Sequence, residues 1–206
     1  HYLEDYVRRN PDRLSVAREL AEIYLARDQA AAINPLVESL KIDQASSDEI
    51  ADLSGFLIQE GFLESAQVLL VQRIKAVPES FDLGLMLVEV YGELGDEGQV
   101  ATFSSRMREL ADTPERYSRW IASAVVANTK LESLDRFYAN EQVRFSFDDG
   151  EWAAEKVEKF ILLCESGGQR LQLDLVASTV RDQLQQGTFD SSLKIRLRKF
   201  LVGMLS

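Results

Sequence analysis

Histidine is nearly missing from this chain. The single copy, His1, is the first residue, so a serine or cysteine nucleophile activated by a histidine base has nothing to be built from. One cysteine, Cys164, among 206 residues excludes an intrachain disulfide and a zinc site made of cysteines. Its setting, "KFILLCESGG", is an apolar helical context, so Cys164 reads as a small buried hydrophobe. Absence of disulfides fits a reducing compartment. Four prolines and eleven glycines leave no low-complexity or linker-like stretch. No apolar run approaches the roughly 18 residues that a membrane span needs, and no basic-then-apolar signal peptide opens the chain. Beginning with His1 rather than methionine, the sequence reads as a piece of a longer protein, and a targeting or anchoring segment could lie outside it. The localisation expected is cytoplasmic, or the soluble portion of a membrane-anchored protein.

What is present is a 46% hydrophobic, 28% charged composition, ordinary for a folded chain. Net charge is −11, and it is unevenly placed. Residues 1–113 hold 21 acids and 10 bases, whereas residues 114–206 hold 13 of each. The acidic half repels phosphate backbones, so nucleic acid is not an expected partner. The last sixteen residues, "SSLKIRLRKFLVGMLS", carry four bases and no acid.

The stretch "FLIQEGFLESAQVLLVQRIKAVPES" has helical apolar periodicity interrupted by Gly61. In mid-helix a glycine costs roughly 0.5–1 kcal/mol relative to alanine. Gly61 is therefore expected to end one helix and turn the chain into the next. Gly95 follows 34 residues later. At the same offset Leu53 becomes Leu87, Leu57 becomes Tyr91 and Ala66 becomes Val100. Leu20 and Tyr24 precede Leu53 and Leu57 by 33. Pro78 closes the unit, and Pro11 precedes it by 67, close to two periods. A period near 34 with two helices and a small-residue turn marks a repeat protein.

The reading is helical nearly throughout. Helices are expected at about 2–9, 13–27, around Pro35, 48–60, 63–77, 80–94, 97–111, 114–128 and 130–141. "SSDE" at 46–49 and "DTPE" at 112–115 are helix starts. In "QVRFSFDDGEW", Val143, Phe145 and Phe147 alternate with polar residues as a short strand would, and "DDG" is turn chemistry. Further helices are expected at about 150–165, 169–186 and 190–205. In the last, Leu193, Leu197, Phe200, Leu201 and Met204 share a face, with Lys194, Arg198 and Lys199 off it. That pattern suits a capping helix or a membrane-surface or partner helix.

These residues resemble the tetratricopeptide repeat family. The unit from Ser47 supplies Ile50, Leu53, Ser54, Leu57, Gly61, Ala66, Leu70 and Pro78 at the family's positions. The unit from Phe81 supplies Leu87, Tyr91 and Gly95, with Val100 where alanine is usual. The unit from Leu14 supplies Ala17, Leu20, Ala21 and Tyr24, and a fourth, at 114–141, is degenerate. The resemblance implies an all-α superhelix of stacked antiparallel helix pairs over residues 1–141. A C-terminal helical extension, residues 142–206, would cap it. Each pair is too small to bury its own apolar stripe, so stacking makes the core. A second, narrower similarity, over "EGFLESAQVLLVQRIKAVPESFDLGLMLVEVYGELGD", is to FimV-type proteins, acidic bacterial proteins that organise cell poles and pilus machinery.

In the repeat family, the first helix of each pair lines a concave groove. Carried onto this sequence, the groove residues are Arg18, Glu22 and Leu25; then Asp48, Ile58 and Gln59; then Asp82, Leu85, Glu89 and Glu93. Ser15, Ala26, Ala51, Gly55 and Gly92 fill the remaining positions. The asparagine that some members use to clamp a C-terminal carboxylate is replaced by Glu22, Gly55 and Glu89. The implied partner is a basic, amphipathic protein segment. No catalytic residue, metal site or cofactor is expected, since carboxylates such as Asp148 and Asp149 are ordinary surface residues and "DEGQ" lacks calcium-loop spacing. The expected function is a non-enzymatic scaffold or adaptor, possible settings being a bacterial envelope, pilus or secretion machinery. An acidic export chaperone and a soluble accessory subunit of a membrane-anchored envelope complex stay open as alternatives.

Overall fold

The computed structural model describes residues 2–42, 45–146 and 152–205. Every regular element among them is helical, so the protein is all-α. The chain divides into two compact units, His1–Met107 and Arg108–Ser206. The first contains α1 (Tyr2–Arg9), α2 (Leu14–Ala26), a 3-10 turn (Ala30–Ala32), α3 (Ile33–Glu38), α4 (Ser47–Gln59), α5 (Leu63–Ala76) and α6 (Phe81–Glu93). The unit boundary falls inside α7 (Glu97–Leu110). The second contains α8 (Pro114–Lys130), α9 (Leu134–Ser146), α10 (Ala154–Gly167), α11 (Leu173–Gln186) and α12 (Ser191–Leu205).

Several helices start on side-chain caps that satisfy otherwise orphaned backbone N–H groups. Ser46 accepts from the Glu49 N–H, while the Glu49 carboxylate accepts from the Ser46 N–H at 2.9 Å, a full capping box. Thr113 accepts from the Arg116 N–H, with Pro114 in the first helical position. Asp96 caps α7 through the Gln99 N–H at 3.0 Å, and Asp190 caps α12 through the Leu193 N–H at 2.7 Å.

The helix ends carry the repeat. Gly61 has φ +82° and Gly95 has φ +74°, the left-handed conformation that glycine adopts without steric cost. Around each, two backbone bonds close the same turn: Gly61 N–H to Ile58 C=O with Phe62 N–H to Leu57 C=O, and Gly95 N–H to Gly92 C=O with Asp96 N–H to Tyr91 C=O. This is the Schellman motif. The same motif ends α2 at Asp28, φ +59°, and α8 at Glu132, φ +53°. Four identical turns thus recur at intervals of 33, 34 and 37 residues, including one in the degenerate fourth unit.

In the first unit α2 packs on α4 and α4 on α6, while α3 packs on α5. First helices therefore neighbour first helices, and the second helix α3 neighbours the second helix α5. The residues that share the 34-residue offset are its core: Leu53, Leu57, Ala66, Leu70, Leu87, Tyr91 and Val100 are all buried. At Gly84 a Cβ would lie 2.0 Å from the Met107 Sδ, so α6 and α7 pack closely there and any side chain would have to push Met107 aside. In the second unit α8 packs on α9 and α10, and α9 on α10 and α11, which in turn packs on α12. Tyr117, Trp120, Phe137, Tyr138, Phe145, Trp152 and Phe160 form a continuous aromatic cluster with neighbouring ring centroids 5.2–6.0 Å apart.

The expected strand is not one where it can be seen. Val143 and Phe145 lie in α9, which runs to Ser146; Phe147 and the "DDG" turn lie outside the described residues. Cys164 is buried as expected. On α12, Leu193 and Leu197 are buried, and Phe200 and Leu201 are half-buried. The side chain of Met204 lies outside what the structure describes.

Candidate functional site

The helices α2, α4 and α6 carry the expected groove positions, and all of them belong to the first unit. At the α2–α4 contact, Arg18 Nη1 donates to both carboxylate oxygens of Asp52, at 2.5 and 2.6 Å. Its Nε stands 3.2 Å from Glu22 Oε1, and its guanidinium carbon lies 5.7 Å from the centre of the Phe56 ring. Asp52, and to a lesser degree Glu22, raises the Arg18 pKa further above its ordinary value. Both members of the Arg18–Asp52 pair are solvent-accessible, so the pair adds little net stability. Its geometric effect is to fix α2 against α4, at a sequence separation of 34 residues.

Around this pair the side chains are open to solvent in a graded way. Glu22, Asp48, Gln59, Asp82 and Glu93 are exposed; Leu25, Ile58 and Glu89 are half-buried. Leu85, expected as an apolar contact among the acids, is buried at 7% exposure, and Gly92 is buried as well. Gly55 is half-buried, and a Cβ there would make only an ordinary contact, 4.0 Å from the Met86 methyl. With Arg18 neutralised by Asp52 and Glu22, the α2–α4 part of the face presents acid interspersed with aliphatic surface. Sequence reasoning missed Asp52, although its 34-residue separation from Arg18 is one repeat and was available as a signal.

The second unit holds a polar cluster that sequence reasoning also missed. Glu141, only 3% exposed, accepts hydrogen bonds from Arg108 Nε and, at 3.0 Å, from the Tyr117 hydroxyl. Arg144 Nη1 stands 3.5 Å from its other oxygen. Burial, reinforced by the Glu141 charge, pushes the Tyr117 phenol well above its ordinary pKa, so that hydroxyl stays a donor. Burial pulls the Lys156 and Lys159 pKa values down, with Arg108 adding to the effect in both. Lys159 donates to the Asp112 carbonyl at 2.6 Å, and the two lysines lie over the Trp152 and Tyr117 rings. A carboxylate held by two arginines and a phenol is satisfied as an ion pair, and its bonds account for the burial without any further chemistry.

No family model matches this chain, and no curated protein does. Among the described residues no group of three or more His, Cys, Asp or Glu could hold a metal ion. No described helix is long and apolar enough to cross a membrane.

Proposed function

We propose that this protein is a non-enzymatic scaffold or adaptor of the tetratricopeptide-repeat kind, which binds a partner segment on the face formed by α2, α4 and α6. The observation that carries the proposal is the repeated turn. Three Schellman-closed helix ends in the first unit, at spacings of 33 and 34 residues, with α2 packed on α4 and α4 on α6, present successive helices of one type side by side. Such a surface is pre-formed, so a segment docks on it with little ordering cost. Glu22 and Asp48 supply negative charge and Leu25 and Ile58 supply apolar contact. The fitting partner is a basic, amphipathic segment.

The test is capture with the native protein and with a Glu22→Lys/Asp48→Lys variant. Both positions are exposed, so the variant should keep its helical circular dichroism while losing the captured partner. A partner retained at full yield by the folded variant sinks this assignment of the face.

A further inference from the structure

We infer that the acidic face takes α12 of a second copy of this chain, so that copies join head to tail; the inference rests on the reading of that face given above. α12 has two apolar sides. Leu193 and Leu197 are buried, and Phe200 and Leu201 are half-buried, so this side packs on its own unit. At about 100° per residue, Ile195, Arg198, Lys199 and Val202 gather in a stripe on the opposite side. All four are exposed, Ile195 at 51% and Val202 at 67%. Arg196 is drawn off to Glu158, 3.3 Å away, whereas Arg198 and Lys199 have no ion-pair partner among the described residues. The outward stripe is therefore basic at its centre and aliphatic at both ends.

Charge and spacing name the occupant. Residues 1–113 hold 21 acids and 10 bases, while the last sixteen residues hold four bases and no acid. On the acidic face, Glu22 and Asp48 are exposed, and Leu25 and Ile58 are half-buried. Glu22 precedes Leu25 by three residues, so acid and aliphatic surface lie about one helical turn apart. On α12 the bases stand at the same spacing, three or four residues from Ile195 and from Val202. Laid along α2 and α4, α12 of another copy sets Arg198 and Lys199 against the acids and one aliphatic end against Leu25 and Ile58. An anionic membrane suits the stripe less well. It offers two free bases and no aromatic ring, where lipid-directed segments carry clusters of about four to eight, and the net charge of −11 opposes approach to such a surface.

The two surfaces are different, so each added copy leaves one of each open and the contact propagates. A foreign basic segment and α12 of a second copy compete for one face.

Sedimentation velocity on the whole chain tests the inference. The contact is small, so protein is taken up to about 1 mM at low salt, the weak end of binding constants. The wild type should sediment above monomer mass and return to monomer as salt is raised. Glu22→Lys/Asp48→Lys and Arg198→Glu/Lys199→Glu should each be monomeric, with unchanged circular dichroism. Mixed together they should associate, since each supplies the surface that the other lacks. Three results overturn the inference: a monomeric wild type, self-association that survives in either folded variant, or a mixture that stays monomeric. Binding of a monomeric wild type to phosphatidylcholine vesicles containing phosphatidylserine, lost in Arg198→Glu/Lys199→Glu, would assign the stripe to a membrane and likewise overturn it. The acidic face itself is scored by capture of a foreign partner. If the wild type is monomeric but its captured partner is lost in Glu22→Lys/Asp48→Lys, the face stands and only the second copy is removed as its occupant.

Discussion

Glu132 stands in the left-handed conformation that Gly95 adopts at the end of the preceding first helix, with φ values of +53° and +74°. The two residues close the same pair of backbone hydrogen bonds, but only one of them does so without a Cβ. An L-residue in that region carries a steric cost of about 1–2 kcal/mol. Glu132→Gly should therefore stabilise the protein by about 1 kcal/mol, less the extra freedom glycine gives the unfolded chain. Thermal denaturation should show the midpoint rising by a few degrees. Gly61→Val should do the reverse, losing about 1–2 kcal/mol. No atom lies within 4 Å of a Cβ built at Gly61, so the whole penalty is conformational. An unchanged midpoint in both variants would contradict the role given to these turns.

The same comparison shows what the sequence could reveal. Gly61 and Gly95 announce their turns because glycine is the usual residue there. Asp28 and Glu132 make the same turn, yet nothing in their identity marks it. The error at Val143 and Phe145 has a sharper cause. In α9 the buried stripe is Tyr138, Glu141, Gln142 and Phe145, which has helical spacing. Two of its members are polar, so apolar periodicity fails and Phe145 pairs by eye with Val143, which is 41% exposed. Glu141 and Gln142 are buried because their partners are distant in sequence. Arg108 meets Glu141 across 33 residues, and Gln142 exchanges two hydrogen bonds with the Gln172 backbone across 30. Local pattern does not encode such partners. The positions proposed for the acidic face could be named from the sequence because helical spacing fixes which residues share a helix face. The burial of Leu85 could not, because the pattern names the helix face and says nothing of its depth.

Arg108 and Glu141 yield a test by double substitution. Removing Arg108 alone leaves a buried carboxylate with the Tyr117 hydroxyl and a more distant Arg144. Breaking one side of such a pair costs about 3 kcal/mol, the lower end of the range for buried ion pairs. Arg108→Met/Glu141→Leu removes both charges and should recover part of that loss. Urea denaturation of the wild type, both single variants and the double variant gives the coupling. If the double variant is as unstable as the sum of the singles, the pair is not coupled.

Cys164 yields a pH prediction. Burial, with a smaller contribution from Glu165, pushes its thiol up to about 12 from an ordinary value of 9.0. The unfolded thiol ionises first, so the stabilisation is intact below pH 9 and is lost as pH rises toward 12. At pH 10 the loss attributable to this one group is about 1 kcal/mol. Cys164→Ala should show a shallower decline between pH 9 and 10 than the wild type, whatever its stability at pH 7. Parallel curves would mean that the folded thiol ionises as readily as the unfolded one. Alkylation at pH 8 should likewise be slow until the protein is unfolded.

The proposed acidic face makes a kinetic claim. Its charges are exposed, so they act mainly on encounter, whereas the half-buried Leu25 and Ile58 act on residence time. Take any basic amphipathic partner captured by the native protein and lost by Glu22→Lys/Asp48→Lys. Its association rate should fall as salt is raised, since exposed charges are screened over about 8–10 Å at ordinary ionic strength. Ile58→Ala should leave the association rate nearly unchanged and raise the dissociation rate several-fold. Arg18→Ala separates the two effects. It removes the guanidinium that neutralises Asp52 and Glu22, so the face becomes more acidic and the partner should associate faster at low salt. Surface plasmon resonance at two salt concentrations decides the matter. Slower association with Arg18→Ala, in a protein of unchanged circular dichroism, would show that Arg18 contacts the partner itself and that the charge reading of this face is wrong.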